Sequence, residues 1–363
     1  MKNRDYSLDC IRIFALFTVV SVHFFLNSGF YQRPVVGISM LVQCIIRSFF
    51  MICVPLFLLL TGYLMKNKEL SIKYYKGIGN TLFVYVLASI ACVLFKNIYY
   101  PNEHHNLLLS ILNFTGANYA WYIEMYIGLF FIIPFLNLIY NNLKNQRQRK
   151  LLILTMLCMT SIPCVLNIFV FDSSSWWSQP SLIQTYQKII PSYWVSMYPI
   201  TYYFIGSYLH DYGLKLNNIQ CLIVMIVSTV LVGLISYCWA TPNNFIWGSW
   251  ADFGSFFTAI TASCVFMLIK RNITFNNLSN ERKFFLSKVA NLTLGGYLVS
   301  YIIDTIIYSF FKNRINSDYL GLRYYFIIIP LVFVCSVLLS YLLDFIQKGT
   351  NKIYSLIKRV IRN

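Results

Sequence analysis

Apolar residues run in long stretches along almost the whole chain, separated by short polar segments. Ten of these stretches come near the ~20 residues that a helix needs to cross a bilayer. They are drawn approximately at 10–28, 41–65, 77–96, 120–140, 151–171, 189–209, 218–239, 251–270, 290–311 and 323–346. A leucine-rich piece at 106–114 is too short to span and is placed at the interface. Hydrocarbon offers no partner to an exposed backbone N–H or C=O, so stretches of this length are read as helices. The fold class that follows is an all-α polytopic membrane protein of about ten transmembrane helices.

Composition agrees. The 363 residues are 58% hydrophobic, 18% aromatic and 11% charged, against roughly 25% charged in a soluble domain. The net charge of +17 would suit a nucleic-acid binder, but its distribution argues otherwise. Most basic residues fall in the short segments between apolar runs, which is the positive-inside pattern. With the N-terminus inside, Arg33, Lys96, Lys188, Lys312, Arg314 and Arg323 lie outside, and Arg12 and Arg47 lie within spans. The other 21 of the 29 basic residues then fall on the cytoplasmic side, so both termini are expected inside.

Most of the ten cysteines lie within apolar runs and no CxxC pair occurs, so neither a disulfide framework nor a zinc site is indicated. No small-residue cleavage site follows the first apolar run, which is therefore read as a retained helix. Beyond the last span, Ile353, Leu356, Ile357 and Val360 recur at helical spacing among basic residues. That pattern predicts an amphipathic cytoplasmic tail lying on the inner leaflet.

Polar residues inside the apolar runs carry the candidate chemistry. The first span reads LDCIRIFALFTVVSVHFFLN over Leu8 to Asn27 and holds Arg12 and His23. Eleven residues at about 100° each come to roughly 20° past three turns, so both side chains share one face, ~16 Å apart along the axis. Ionisable groups in a membrane helix are costly and mark a functional site by default. At ~1.5 Å per residue, His23 lies about 20 Å from the inner end of its span and Asp304 about 21 Å up the ninth. Arg47 lies roughly 9 Å and Glu124 roughly 6 Å below the outer ends of the second and fourth spans. These four are thus expected at similar depth in the outer half, with Arg12 alone near the cytoplasmic end.

A buried, neutral histidine serves as a general base toward a hydroxyl. An arginine stabilises the oxyanion of an acyl transfer, and an acid orients the imidazole. Equally, Arg47 paired with Glu124 or Asp304 would merely neutralise charge and fix helix packing. Residue types alone also suit proton-coupled transport. The GxSxG motif of soluble hydrolases is absent.

Four blocks in order decide between these readings. Arg12 and His23 are separated by ten residues in LDCIRIFALFTVVSVHF. RSFFMICVPLFLLLTGYL supplies Arg47, Pro55, Phe57, Gly62 and Tyr63, AWYIEMYIGLFFIIPFL supplies Trp121, Tyr122 and Pro134, and YYFIGSYL supplies Tyr203, Gly206 and Leu209. Together they make the chain resemble the bacterial integral-membrane acyltransferase family 3 over nearly its whole length. It departs at LTLGGYLVSYII, where many members carry a histidine near Ser300.

The resemblance implies transfer of an acyl group, most often acetyl, from acyl-CoA as donor substrate to a hydroxyl of an envelope glycan or lipid-linked saccharide. No bound cofactor is implied, and the setting is the bacterial inner membrane. It suggests a ten-helix acyltransferase domain over 1–346 and a basic tail over 347–363. Arg12 suits the CoA phosphates. His23 is preferred as general base over a transient acyl carrier, and Arg47, Glu124 and Asp304 complete the candidate catalytic set. Trp121, Tyr122, Trp176 and Trp177 are candidate saccharide contacts, joined by Gln179, Gln184, Asn243, Asn244, Trp247 and Trp250 of the outer loops. The same tryptophans would also serve as an ordinary aromatic belt. Rival readings are a transporter or flippase of the same glycan, succinyl transfer, and a lipid acceptor.

Overall fold

The computed structural model describes residues 4–183, 185–273 and 279–362, with backbone alone for 351–362. Gln184 and the side chains of the basic tail from 351 onward lie outside the described residues. Among the described residues, eleven long helices carry the fold: α1 (Tyr6–Asn27), α2 (Gly37–Phe50), α3 (Cys53–Met65), α4 (Ile78–Tyr99), α5 (Trp121–Asn141) and α6 (Gln146–Thr160), then α7 (Tyr198–Tyr212), α8 (Asn218–Ala240), α9 (Phe256–Asn272), α10 (Asn280–Ile315) and α11 (Tyr325–Arg362). No strand occurs among the described residues.

Nine helical stretches among the described residues are long and apolar enough to cross a membrane, α2 and α3 together making one of them. The expected span at 41–65 breaks at Met51 and Ile52 because Pro55, in the first turn of α3, has no N–H for the Met51 carbonyl. The stretch expected at 189–209 forms its helix later and shorter, as the 15-residue α7. At ~1.5 Å per residue that helix is about 22 Å long. The leucine-rich piece forms only a short helix, Leu107–Leu112.

Helix ends meet on two faces, as the alternating spans require. On the face rich in basic residues, Lys270 in the last turn of α9 pairs with Asp5 before α1 at 2.8 Å. There too Gln347 of α11 donates to Asn80 of α4. On the opposite face, Val35 N–H donates to the Asn243 carbonyl and Leu320 N–H to the Ser28 carbonyl.

Helix α1 is the hub. Its N-terminus is capped by Asp5, whose carboxylate accepts from Ser7 N–H, and nearly every residue from Thr18 to Phe25 is buried. It packs against α3, α10 and α11, and more lightly against α2 and α9. A helix apolar on all sides belongs at the centre of a bundle, which is where this one lies.

Asp211, at the end of α7, ties four helices on the basic face. Lys66 after α3 and Arg149 of α6 pair with its carboxylate, Tyr140 of α5 donates to it, and His210 adjoins it at 3.0 Å. Partial burial pushes its carboxyl up, but hydrogen bonds from Lys66 and His210 outweigh that and hold it below the usual carboxylate range. A depressed carboxylate contributes stability above its unfolded pKa of ~4 and loses it as pH falls through the folded value. Asp211→Asn should therefore lower the melting midpoint at pH 7 by about 2–4 °C, what ~1 kcal/mol does in a mid-sized domain. The gap to wild type should close below pH ~4; a gap that persists in acid would show that charge is not its cause.

Candidate functional site

The inner end of α1 is anchored by Asp9. Its buried carboxylate accepts from Arg4 Nε at 2.7 Å and from Arg12 Nη1 at 3.0 Å, and also from Ser287 of α10. Arg12 thus spends one donor on Asp9, and its remaining N–H groups have no protein partner among the described residues. Beside it lies a cavity of about 320 Å³ lined by Arg12, Val19, Thr61, Tyr122, Tyr126 and Tyr297, among others. Its walls come from α1, α3, α5 and α10, with Thr81 of α4 at its side. Arg12 and Val19 lie seven residues apart, within about 20° of one another around the helix. His23 continues that face one turn further on.

His23 lies just beyond the cavity and is 7% exposed. Its Nδ1 is 3.3 Å from Oδ2 of Asp304, which α10 brings in from the other end of the chain. Tyr119, just before α5, donates its hydroxyl to the same Asp304 oxygen at 3.0 Å. Its ring lies against the imidazole, with centroids 3.8 Å apart. Tyr119 is fixed in turn by Tyr297, whose hydroxyl donates to the Tyr119 carbonyl. Tyr297 also lines the inner cavity, so its bond to Tyr119 links the cavity wall to the ring that lies on the histidine.

A second cavity, about 730 Å³, opens on the opposite face and reaches Asp304 from the other side. Asn27, Arg33, Tyr301, Tyr308 and Lys312 are among its walls. Between the two cavities, His23 Nδ1, Asp304 Oδ1 and the Tyr308 hydroxyl are buried without a hydrogen-bond partner. Native interiors satisfy nearly all such groups, and a cluster of exceptions calls for a reason. A polar ligand entering from one of the cavities supplies one.

Of the four ionisable groups expected at similar depth, the structure brings His23 and Asp304 together. No ion pair or hydrogen bond joins Arg47 or Glu124 to either. Arg47 is fully buried, donates from Nε to the Tyr31 hydroxyl at 2.8 Å, and lies over the rings of Phe245 and Trp247 at 4.6 and 4.5 Å. Aromatic faces and a hydroxyl take the place of an acid as its partners. Glu124 is exposed on α5 and forms no ion pair among the described residues.

Among the aromatic candidates, Tyr122 lines the inner cavity, whereas Trp121 is exposed and stacks on Phe253. Trp176 is 3% exposed and donates its indole N–H to the Ile168 carbonyl, while its neighbour Trp177 is 63% exposed. Both border a third cavity of about 760 Å³ with Gln179 and Asn243. Trp250 is buried and donates to Ser236, and Trp247 stacks on Tyr31.

Sequence reasoning missed Asp9 and Tyr119. Asp9 had a legible signal, an acid three residues before Arg12 on the same helix. Tyr119 had none, since a tyrosine in a loop at the end of an apolar run is ordinary until the fold sets it on the imidazole.

Residues 5–341 match the profile of acyltransferase family 3, described as an acyltransferase domain. No curated protein and no solved structure matches this chain. A match over nearly the whole chain, on a bundle with this many spanning helices, leads to one conclusion: the chain belongs to acyltransferase family 3 and is a multi-pass membrane acyltransferase.

Proposed function

We propose that this acyltransferase moves an acetyl group from acetyl-CoA, presented on the cytoplasmic face of a bacterial inner membrane, to a hydroxyl of an envelope glycan. The observation that carries the reading is the His23–Asp304–Tyr119 cluster, set between an inner cavity that begins at Arg12 and an outer cavity that ends at Asp304. Arg12 takes the CoA phosphates with the donors that Asp9 leaves free, and the thin pantetheine arm follows the face of α1 past Val19. Displacement of the Tyr119–Tyr297 pair admits the thioester to the histidine. The acceptor reaches the same point through the outer cavity, whose polar walls suit a saccharide.

In this scheme Asp304 holds Nδ1–H of the imidazole and leaves Nε2 to accept the acceptor's hydroxyl proton. The freed oxygen attacks the thioester carbonyl, an ester C–O bond forms, and the C–S bond breaks. The leaving thiolate takes the proton back from Nε2, so the histidine ends as it began. The unpartnered oxygen of Asp304 and the Tyr308 hydroxyl are available to the sugar's other hydroxyls.

The test uses the full chain in sealed proteoliposomes, with labelled acetyl-CoA on the Arg12 side and purified envelope glycan on the other. Label should appear on the glycan without the two sharing a compartment. Arg12→Ala should raise KM for acetyl-CoA about 10- to 100-fold at nearly constant kcat, the range of a hydrogen bond to a charged group. Transfer only when donor and acceptor share a compartment would overturn the route along α1. An unchanged KM would remove the phosphate role of Arg12.

A further inference from the structure

A groove remote from the acyl-transfer site opens between α6 and α8 on the basic face. Its volume is about 570 Å³, and α7 and α9 form its floor. Leu154, Leu157, Val224 and Ile260 are typical of its apolar walls. Both flanking helices are mostly uncovered by protein, with 22% of the α6 span and 33% of the α8 span buried. In a bilayer their exposed faces meet lipid, so the groove opens sideways into the hydrocarbon. Along α6 it runs from Lys150 to Leu157, about 10 Å of helix, which keeps it within one leaflet of the ~30 Å core.

The mouth of the groove is cationic. Lys150 and Lys215 both line it, and neither has an ion-pair partner among the described residues. The loop carrying Lys215 is held firmly: Arg271 donates to the carbonyls of Leu214 and Leu216 on either side of it. Gly213 opens the loop with φ +63°, and Asn217 closes it in a reciprocal cap with Gln220. Nearby Arg149 is already committed to Asp211. Two free ammonium groups at headgroup level, above a chain-sized apolar slot, match one chemistry.

We propose that this groove binds an anionic phospholipid of the inner leaflet. Its phosphate sits between Lys150 and Lys215, and one acyl chain lies in the slot between α6 and α8. Basic pockets between spanning helices on this side recognise headgroups in this way, and the apolar walls restrict the ligand to one carrying a chain.

The experiment titrates the purified full chain in zwitterionic detergent with dioleoylphosphatidylglycerol or dioleoylphosphatidylcholine and reads bound lipid by native mass spectrometry. Wild type should retain one phosphatidylglycerol in clear preference to phosphatidylcholine. Lys150→Ala and Lys215→Ala should each weaken retention about fivefold, the ~1 kcal/mol that a lysine contributes at an anionic surface. Leu154→Trp, which fills the slot and leaves both lysines, should also reduce it, whereas Lys68→Ala should not. Equal retention of the two lipids, or no response to the double lysine variant, would overturn the proposal. So would displacement of the lipid by inorganic phosphate or CoA at matched concentration, since the site would then read the anion alone.

Discussion

His23→Ala should lower acyl transfer by about 10²–10⁴-fold, the usual contribution of a positioned general base, with the fold intact. The imidazole is buried with Nδ1 3.3 Å from Asp304, and when it is removed Asp304 keeps the Tyr119 hydroxyl as its hydrogen-bond donor. Asp304→Asn is the sharper companion. The amide keeps the volume but can present its N–H₂ to the ring, which favours the wrong tautomer; elsewhere such a change costs up to ~10⁴-fold. Because Asp304 acts through His23, its loss should also change the pH dependence of the rate, which a merely structural role would leave in place. Asp304→Glu should recover part of the activity. The measurement is ester formation on the glycan by NMR together with a pH–rate profile. Undiminished acylation by His23→Ala would eliminate the base mechanism, whatever Asp304 does.

Gly206→Val should prevent the bundle from closing. Helices α3 and α7 approach so closely that a Cβ at Gly206 would meet the Leu59 carbonyl, and one at Gly62 would meet the Tyr203 carbonyl. Ser207 bonds across the same contact, donating to the Gly62 carbonyl at 3.2 Å. Membrane helices associate through such close backbone approach because lipid tails leave little hydrophobic drive between them. Overpacking costs about 1–3 kcal/mol when side chains can shift. Here the obstacle is backbone on both sides, so the loss should exceed ~3 kcal/mol and appear as aggregation in detergent. Gly79→Ala is the control: a Cβ there meets nothing within 4 Å, and helix propensity favours it by up to ~1 kcal/mol. A Gly206→Val protein that purified as a monodisperse species with an unchanged melting midpoint would refute the argument.

Both predictions rest on residues that the chain announces. Gly62 and Gly206 stood in recognisable blocks, and Arg12 and His23 were already on one face by count. Nine of the ten spans drawn from hydropathy have a counterpart among the described residues, since hydropathy reports each segment's solvent directly. Element ends were less legible. The break at Met51–Ile52 follows from Pro55 in hindsight, but an apolar run continues through it. The span drawn at 189–209 became α7 at Tyr198–Tyr212 because its first residues are held in a loop, where Asn167 accepts from Ile189 and Ile190.

Taken alone, the sequence determined how far along its own helix each residue sits. Rise and period are properties of one segment, so Arg12 near one end, His23 eleven residues on and Asp304 at matching depth could all be read by counting. Which of Asp304, Glu124 and Arg47 meets the imidazole was decided only by tertiary structure. Depth says nothing of rotation about the helix axis or of which helices are neighbours. Those are settled by packing among segments distant in the chain: α10 against α1 puts Asp304 on His23, and the aromatic residues after α1 and α8 engage Arg47. The seating of Tyr119 on the imidazole and its bond to Asp304 belong to that packing as well.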